Sequence, residues 1–316
     1  MQPYGENEPG TVLVSPHMFR DLEFERALAD EFGLRLVETS DAEEFRAALP
    51  DAVVVLLTPY ATVGASDFVG MRRCVAVVRY GMGYDNVDVA AATVPVAIVP
   101  DAYVEEVATH ALAMGLGLLR RLPQGRHAID AGTWAGQIAY DAPRLSEATV
   151  GVIGVGRIGR RVADLWSALG TRVIATDPAR PADGERFVPL AELLTRSDVV
   201  TLHVPLDDST HHLLSSERLV EMKHGAVLVN VSRGGLVDET ALRAALESGR
   251  VAGAGLDVFV DEPLPQGHAF EGLANVMLTP HIAWRSDRAL GALQKGAVGR
   301  ARQALLGEPL PDVVNA

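Results

Sequence analysis

Short apolar runs recur along the chain, separated by stretches in which apolar residues return at helical spacing. Residues 11–15, 34–37, 52–57, 75–78 and 96–99 read as strands, and Ala52-Val53-Val54-Val55-Leu56-Leu57 is apolar on both faces, as a strand covered on both sides must be. Between them the pattern predicts three helices. One turns Leu22, Ala27 and Leu28 inward. Another covers 42–49, with Asp41 as N-cap and Glu44 as capping-box acid, and a short one covers 87–92. A longer helix is predicted over 104–122. Val107, Ala111, Leu112, Met114, Leu116, Leu118 and Leu119 leave it apolar around much of its surface, so it must be covered on most sides. Pro123 is expected to stop it. A second series follows, with strands at 149–153, 172–176, 199–204, 226–231, 252–258 and 276–279. Helices at 189–196, 215–222 and 239–248 lie between these strands, and Gly249 is a helix stop. A last helix, 286–306, is long enough to cross back to the first series. Two alternating series predict an α/β protein with two distinct open parallel sheets.

The second series opens on the stretch that most narrows the chemistry. The strand at 149–153 enters Gly154-Val155-Gly156-Arg157-Ile158-Gly159. Ile158, Val162, Leu165, Trp166 and Leu169 then continue at helical spacing to Gly170, and Arg172-Val173-Ile174-Ala175-Thr176 ends on Asp177. Strand, glycine turn, helix, strand and acid in that order form a dinucleotide-binding unit. Gly154 permits the tight turn, Gly156 lets a pyrophosphate approach the backbone, and Gly159 lets the helix pack against the strand. The helix N-terminus offers unpaired N–H groups and the positive end of its dipole. Asp177 can accept both ribose hydroxyls and would repel a 2′-phosphate, which favours NAD over NADP. A glycine-rich turn alone can be purely structural; the flanking strands and the acid make the motif specific.

Composition removes other classes of function. The formal charge is −13, only Lys223 and Lys295 are lysines, and no basic cluster interleaves with aromatics, so neither nucleic acid nor an anionic membrane is an expected partner. A single cysteine, Cys74, excludes an intrachain disulfide and a CxxC site; at a strand entry it reads as a buried, inert thiol. No metal site is predicted. The first ten residues lack the basic and apolar regions of a signal peptide, and no apolar run approaches a membrane span, so a cytoplasmic location is expected.

Two groups of residues outside the glycine turn carry candidate chemistry. After the strand at 75–78, Arg79-Tyr80-Gly81-Met82-Gly83-Tyr84-Asp85-Asn86 places a charge and two glycines where open α/β sheets bind ligands. The amides of Gly81, Met82 and Gly83 either form an anion nest or merely satisfy turn geometry. In the second series, Arg233, Glu262 and His281 follow strand ends. An arginine can fork onto a carboxylate, a histidine can move the proton that accompanies a hydride, and a glutamate can fix the imidazole's tautomer. Singly each reads as a loop residue. Beside a dinucleotide site they make a hydride-transfer set.

With these residues in view, the chain resembles the D-isomer-specific 2-hydroxyacid dehydrogenases over about residues 53–314. The matching runs are the glycine turn, Val229-Asn230-Val231-Ser232-Arg233-Gly234-Gly235-Leu236-Val237-Asp238-Glu239, Leu256-Asp257-Val258-Phe259 with Glu262-Pro263, and Thr279-Pro280-His281. The resemblance implies an NAD-dependent oxidoreductase of a small D-2-hydroxy or 2-keto acid, a catalytic set of Arg233, Glu262 and His281, and a dimer through the 104–122 helix region. It also implies two Rossmann-like, doubly wound parallel-sheet domains with an interdomain cleft, the substrate domain built from both chain ends, 1–101 with 286–316, and the NAD-binding domain from 102–285. Asp257 is expected by the nicotinamide amide, and His203-Val204-Pro205, Thr210, Val231 and Ser232 near the cofactor. Within the family, residues 79–86 and His281-Ile282-Ala283-Trp284 look like the C-terminal-binding-protein branch. That likeness puts Arg79, Gly81, Met82, Gly83 and Trp284 at the substrate. Tyr80, Met82, Tyr84 and Trp284 suggest a mixed aromatic and apolar pocket. Val107-Ala108-Thr109 departs from the Val-Ala-Glu of many relatives, and the first fifty residues match in pattern only. Two other functions fit the same resemblance: an NAD(H)-sensing scaffold or corepressor-like protein, and a same-fold dehydrogenase of another small anion such as formate or phosphite.

Overall fold

The computed structural model describes residues 9–137 and 142–315; Met1–Glu8, where the reading of the N-terminus falls, lies outside them. The chain forms two compact units, one of Met1–Tyr103 with Arg285–Ala316 and one of Val104–Trp284. The first begins with β1 (Thr11–Val14), α1 (Glu23–Phe32), β2 (Arg35–Glu38), α2 (Ala42–Ala48) and β3 (Ala52–Leu57). It continues with α3 (Ala65–Gly70), β4 (Ala76–Arg79) and β5 (Val96–Ile98). The second holds α4 (Val104–Leu119), α5 (Leu122–Asp130), β6 (Thr149–Ile153), α6 (Arg157–Ala168), β7 (Arg172–Thr176) and α7 (Leu190–Arg196). It closes with β8 (Val199–Leu202), α8 (Ser216–Glu221), β9 (Ala226–Asn230), α9 (Glu239–Glu247), β10 (Val251–Leu256) and β11 (Val276–Leu278), before α10 (Ala289–Leu305) returns to the first unit.

The first sheet has the order β2-β1-β3-β4-β5 with every pair parallel. The all-apolar β3 is buried along its whole length because both faces are covered. One face packs Val12, Val54 and Val78 against Leu28 of α1 and Leu293, Ala297 and Ala301 of α10. The other packs Leu13, Val55 and Val77 with Phe45 and Phe68. Residues 312–315 finish the edge beyond β5: the Ile98 N–H donates to the Asp312 carbonyl, and Asn315 bonds the backbone of Val94 and Val96.

Three helical expectations need correction here. Residues 87–92 do not form a helix. Asp88 donates its N–H to the Val63 carbonyl and Asn86 donates its side-chain amide to the carbonyls of Thr58 and Ala61, while Val87 and Ala91 donate back to Tyr84 and Asp88 as separate short turns, so the backbone bonds do not run on as a helix. In α1 the inward residues are Leu28 and Ala29 together with a fully buried Glu25, whereas Ala27 is exposed. Pro123 does not stop α4. The chain turns at Arg121, with φ 57°, and Pro123 sits in the first turn of α5, where its missing N–H costs nothing. At α2 Asp41 does cap, accepting from Glu43 and Glu44, while Glu44 reaches Ser40.

The second sheet has the order β11-β10-β9-β8-β6-β7, again all parallel. The neighbours of β6 on its two sides are β7 and β8, so the strand order reverses there and a crevice opens at the carboxyl ends of β6 and β8. α4 and α6 cover one face in close approach: a Cβ at Gly115 would stand 2.6 Å from Trp166 Cζ2. The opposite face is a core of Ile174, Leu193, Leu202, Leu228, Leu242 and Phe270.

Candidate active site

The glycine turn lies at the reversal point. Gly154 has φ 88°, a left-handed conformation that suits glycine, and a Cβ there would come within 2.5 Å of the His203 carbonyl oxygen. A Cβ at Gly159 would stand 2.0 Å from the Gly154 carbonyl oxygen, so α6 rests directly on the turn. Gly156 is different: a Cβ there would meet no atom within 4 Å, and no side chain caps α6 at that position. The open approach and uncapped N–H groups fit a pyrophosphate. Arg157 beside it is exposed and Ile158 partly buried.

Asp177 is tied into the same turn. Its carboxylate accepts the Val155 N–H at 2.7 Å and the Ala179 N–H at 2.9 Å, leaving lone pairs for a ribose. His203 bonds Thr201 Oγ1 through Nε2 at 2.8 Å, and burial pushes its pKa down to about 3, so the ring is neutral. Thr210 donates its hydroxyl to the Pro205 carbonyl and accepts the Asp207 N–H, which holds the loop that carries Val204 and Pro205. Ser232 donates to the Leu202 carbonyl beside the buried Val231.

Arg233, Glu262 and His281 come together at the neighbouring strand ends. Asn230, at the end of β9, donates its amide to the Arg233 carbonyl and accepts the Ser232 N–H, shaping the turn. A Cβ at Gly234 would lie 2.0 Å from the Phe259 carbonyl carbon, so this turn presses against the segment after β10. In that segment Glu262 Oε1 accepts the Phe259 N–H at 2.9 Å and Oε2 meets His281 Nδ1 at 2.7 Å. Burial raises the Glu262 pKa, but the His281 and Phe259 hydrogen bonds and the charges of His281 and Arg233 outweigh it and hold the carboxyl below its ordinary value. An ionised Glu262 fixes the hydrogen on His281 Nδ1, leaving Nε2 as the ring nitrogen turned away from the carboxylate.

Asp257, 1% exposed, accepts the Thr279 hydroxyl at 2.5 Å, the Ile282 N–H at 2.9 Å and the Ala283 N–H at 2.8 Å. Its oxygens therefore shape the turn around His281, whose φ is 53°. Trp284 donates its indole N–H to the His281 carbonyl at 3.0 Å. His110, which the sequence pattern did not single out, lies with Nε2 3.0 Å from Thr279 Oγ1.

Arg79, Gly81, Met82 and Gly83 belong to the other unit, at the carboxyl end of β4. Arg79 is 7% exposed and donates to the Tyr80 carbonyl. Gly81 has φ 122°, and a Cβ there would come within 2.2 Å of Arg79 Nη1 and 2.5 Å of Tyr103 Oη. The Met82 N–H donates to Tyr103 Oη at 2.6 Å, so one amide of the expected nest is engaged by a residue that local pattern does not single out. Tyr80 does not line a pocket. It is 2% exposed in the core and donates its hydroxyl to Glu25 at 2.7 Å. Cys74 is buried and desolvation raises its thiol to about 12, an inert group.

The reversed strand order, the glycine turn and Asp177 define a dinucleotide-binding α/β protein. A family model for the NAD binding domain of the D-isomer specific 2-hydroxyacid dehydrogenases matches residues 112–283. D-3-phosphoglycerate dehydrogenase of Mycobacterium tuberculosis is 38% identical over 297 residues, which are 92% of this chain and 56% of that protein. Glyoxylate reductase of Korarchaeum cryptofilum is 37% identical over 279 residues, 84% of this chain and 82% of that one. Among solved structures, D-lactate dehydrogenase from Aquifex aeolicus complexed with NAD and lactic acid superposes with a TM-score of 0.83 at 30% identity, covering 94% of this chain and 96% of its own. The chain belongs to the D-isomer specific 2-hydroxyacid dehydrogenase family, and its second unit is the family's NAD-binding domain. It spans 56% of the length of the phosphoglycerate dehydrogenase it matches. Among the described residues no helix is long and apolar enough to cross a membrane.

Proposed function

We propose that this chain is an NAD(H)-dependent oxidoreductase interconverting a small 2-keto acid and its D-2-hydroxy acid. The observation that carries the reading is the 2.7 Å contact between His281 Nδ1 and Glu262 Oε2, held at the strand ends next to Arg233 and in the same unit as the glycine turn. NAD(H), when bound, supplies or accepts the hydride. Arg233 forks onto the substrate carboxylate and polarises the carbonyl beside it. His281, protonated on Nε2, donates to the carbonyl oxygen as it gains charge, and Glu262 stabilises the imidazolium while keeping the ring in place. In the oxidising direction the neutral ring takes the proton back. Arg79 and the Gly81-Met82-Gly83 turn are assigned to the substrate, and Asp177 to the adenosine ribose, which favours NAD over NADP.

NADH oxidation against a panel of 2-keto acids tests the reading, with NAD reduction by formate and phosphite as further arms. His281→Ala is expected to lower turnover by on the order of 10²–10⁴-fold while NADH binding, followed by fluorescence, stays intact. Full activity in that variant would refute the assignment. Turnover of formate or phosphite alone would move the chain to another donor.

We also infer a cytoplasmic homodimer through the α4–α5 region. Leu122 and Ile129 of α5 and Trp134 just after it are large apolar side chains 61%, 56% and 72% exposed, which suits burial against a second copy. A monomeric mass in sedimentation at micromolar concentration would exclude it. The finer likeness to the C-terminal-binding-protein branch rests on residues 79–86 and 281–284 alone.

A further inference from the structure

α4 lies along β10 in step with it. A Cβ at Gly253 would stand 3.0 Å from Leu118 Cδ2, and one at Gly255 2.9 Å from Met114 Cβ, so the two glycines let the helix settle onto the strand. Four helical residues advance about 6 Å and two strand residues about 6.6 Å, so the register carries forward. One turn before Met114 and two residues after Gly255, His110 therefore meets Asp257. His110 is 23% exposed, with Nε2 3.8 Å from Asp257 Oδ1 and 3.0 Å from Thr279 Oγ1.

The hydrogen-bond directions follow from the number of hydrogens. The Thr279 hydroxyl has one, and it points to Asp257 Oδ1 at 2.5 Å. Thr279 Oγ1 must then accept from His110, which places the hydrogen on His110 Nε2. Asp257 in turn accepts from Ile282 and Ala283, the two amides after His281, and its carbonyl accepts the His281 N–H at 2.8 Å. The turn bearing His281 is thus anchored on one carboxylate, and that carboxylate is oriented from α4.

We propose that His110 is a positioning residue: through Thr279 and Asp257 it fixes the turn that aims His281. The inference rests on the reductase reading for its kinetic consequence but has a readout independent of it. The Trp284 indole N–H bonds the His281 carbonyl, so its NMR signal reports the placement of that turn.

The experiment compares the wild-type chain with His110→Leu, which removes the donor, and His110→Gln, whose side-chain amide reproduces a donor at the reach of Nε2. His110→Asn, polar but shorter, replaces the leucine variant if that one does not fold. With the donor removed, kcat is expected to fall about tenfold, the Kd for NADH to change less than about twofold, and the Trp284 indole peak to move. His110→Gln is expected to recover most of the lost kcat and return the peak toward its wild-type position. Unchanged kcat and an unmoved peak on removing the donor would overturn the proposal. So would equal damage in the glutamine and donor-less variants, since His110 would then act by shape alone. If the wild-type chain turns over no acid in the panel, the reductase reading fails by itself. The indole peak then decides this inference, upheld if it moves without the donor and returns with glutamine, and refuted otherwise.

Discussion

At the scale of single residues, two titratable groups of the second unit are held one charged and one neutral by different causes. Glu262 stays ionised because a histidine and a backbone amide donate to it. His203 stays neutral because its ring is desolvated, with Nδ1 buried and given no hydrogen bond among the described residues and Nε2 on Thr201. The second case has a consequence for stability. The folded pKa of about 3 lies below the ordinary value of 6.5, so between those values the unfolded chain binds a proton that the folded chain refuses. Stability from this group is complete above pH 6.5 and falls as the pH drops toward 3, by up to about 1.4 kcal/mol per pH unit. His203→Asn removes that titration. Its urea midpoint is expected to be lower than wild type at pH 7 and to fall less steeply between pH 7 and pH 5. Equal slopes in the two proteins would mean that the ring is hydrated in the folded chain.

At the scale of elements, the contact between turn and helix separates two glycines of one motif. Gly159→Ala drives a methyl into the Gly154 carbonyl, and α6 must lift from the strand; the strain is expected to cost about 1–3 kcal/mol of stability along with weaker NADH binding. Gly156→Ala meets no atom within 4 Å and keeps an ordinary backbone, with φ −71°. It should weaken NADH binding by obstructing the pyrophosphate while leaving the melting temperature within about a degree of wild type. Paired calorimetry and fluorescence titration check both, and equal losses of stability would refute the distinction. Local pattern made this unit legible, because the turn, helix and acid follow one another within thirty residues. The same holds for the strands and for most helix starts. What local pattern could not reveal were partners brought together by folding. His110 and Thr279 are 169 positions apart, Met82 and Tyr103 are 21, and Tyr80 and Glu25 are 55. Tyr80 misled because it adjoins a ligand-type loop, yet its side chain points into the core. Residues 87–92 misled because Asp88 donates to the distant Val63 carbonyl, which breaks the run of local bonds a helix needs.

At the scale of the whole molecule, the two units differ in how they are assembled from the chain. The second is one continuous segment, Val104–Trp284, and among the described residues the core cluster from Ile153 to Phe270 on one face of its sheet is drawn from that segment. The first is discontinuous, and one face of its sheet is sealed by Leu293, Ala297 and Ala301 of α10, nearly two hundred residues beyond β5. Without α10, the apolar surfaces of Val54 and Val78 would face water on that side, together with the Gln294 amide's partner Glu25. Each exposed large side chain costs roughly 1.5–3 kcal/mol, against a total stability of about 5–15 kcal/mol for a domain. A fragment of residues 104–284 is therefore expected to fold cooperatively and to be stabilised by NADH, with a shift of about 2.7 kcal/mol at a hundredfold excess over its Kd. A fragment of residues 1–103 is expected to lack a cooperative transition until a peptide of residues 285–316 is added in trans. Circular dichroism melts of the two fragments, alone and with NADH or the peptide, measure both. Cooperative melting of 1–103 by itself would show that α10 is dispensable to the first core. Failure of 104–284 to respond to NADH would mean that the glycine turn needs the rest of the chain to hold its cofactor.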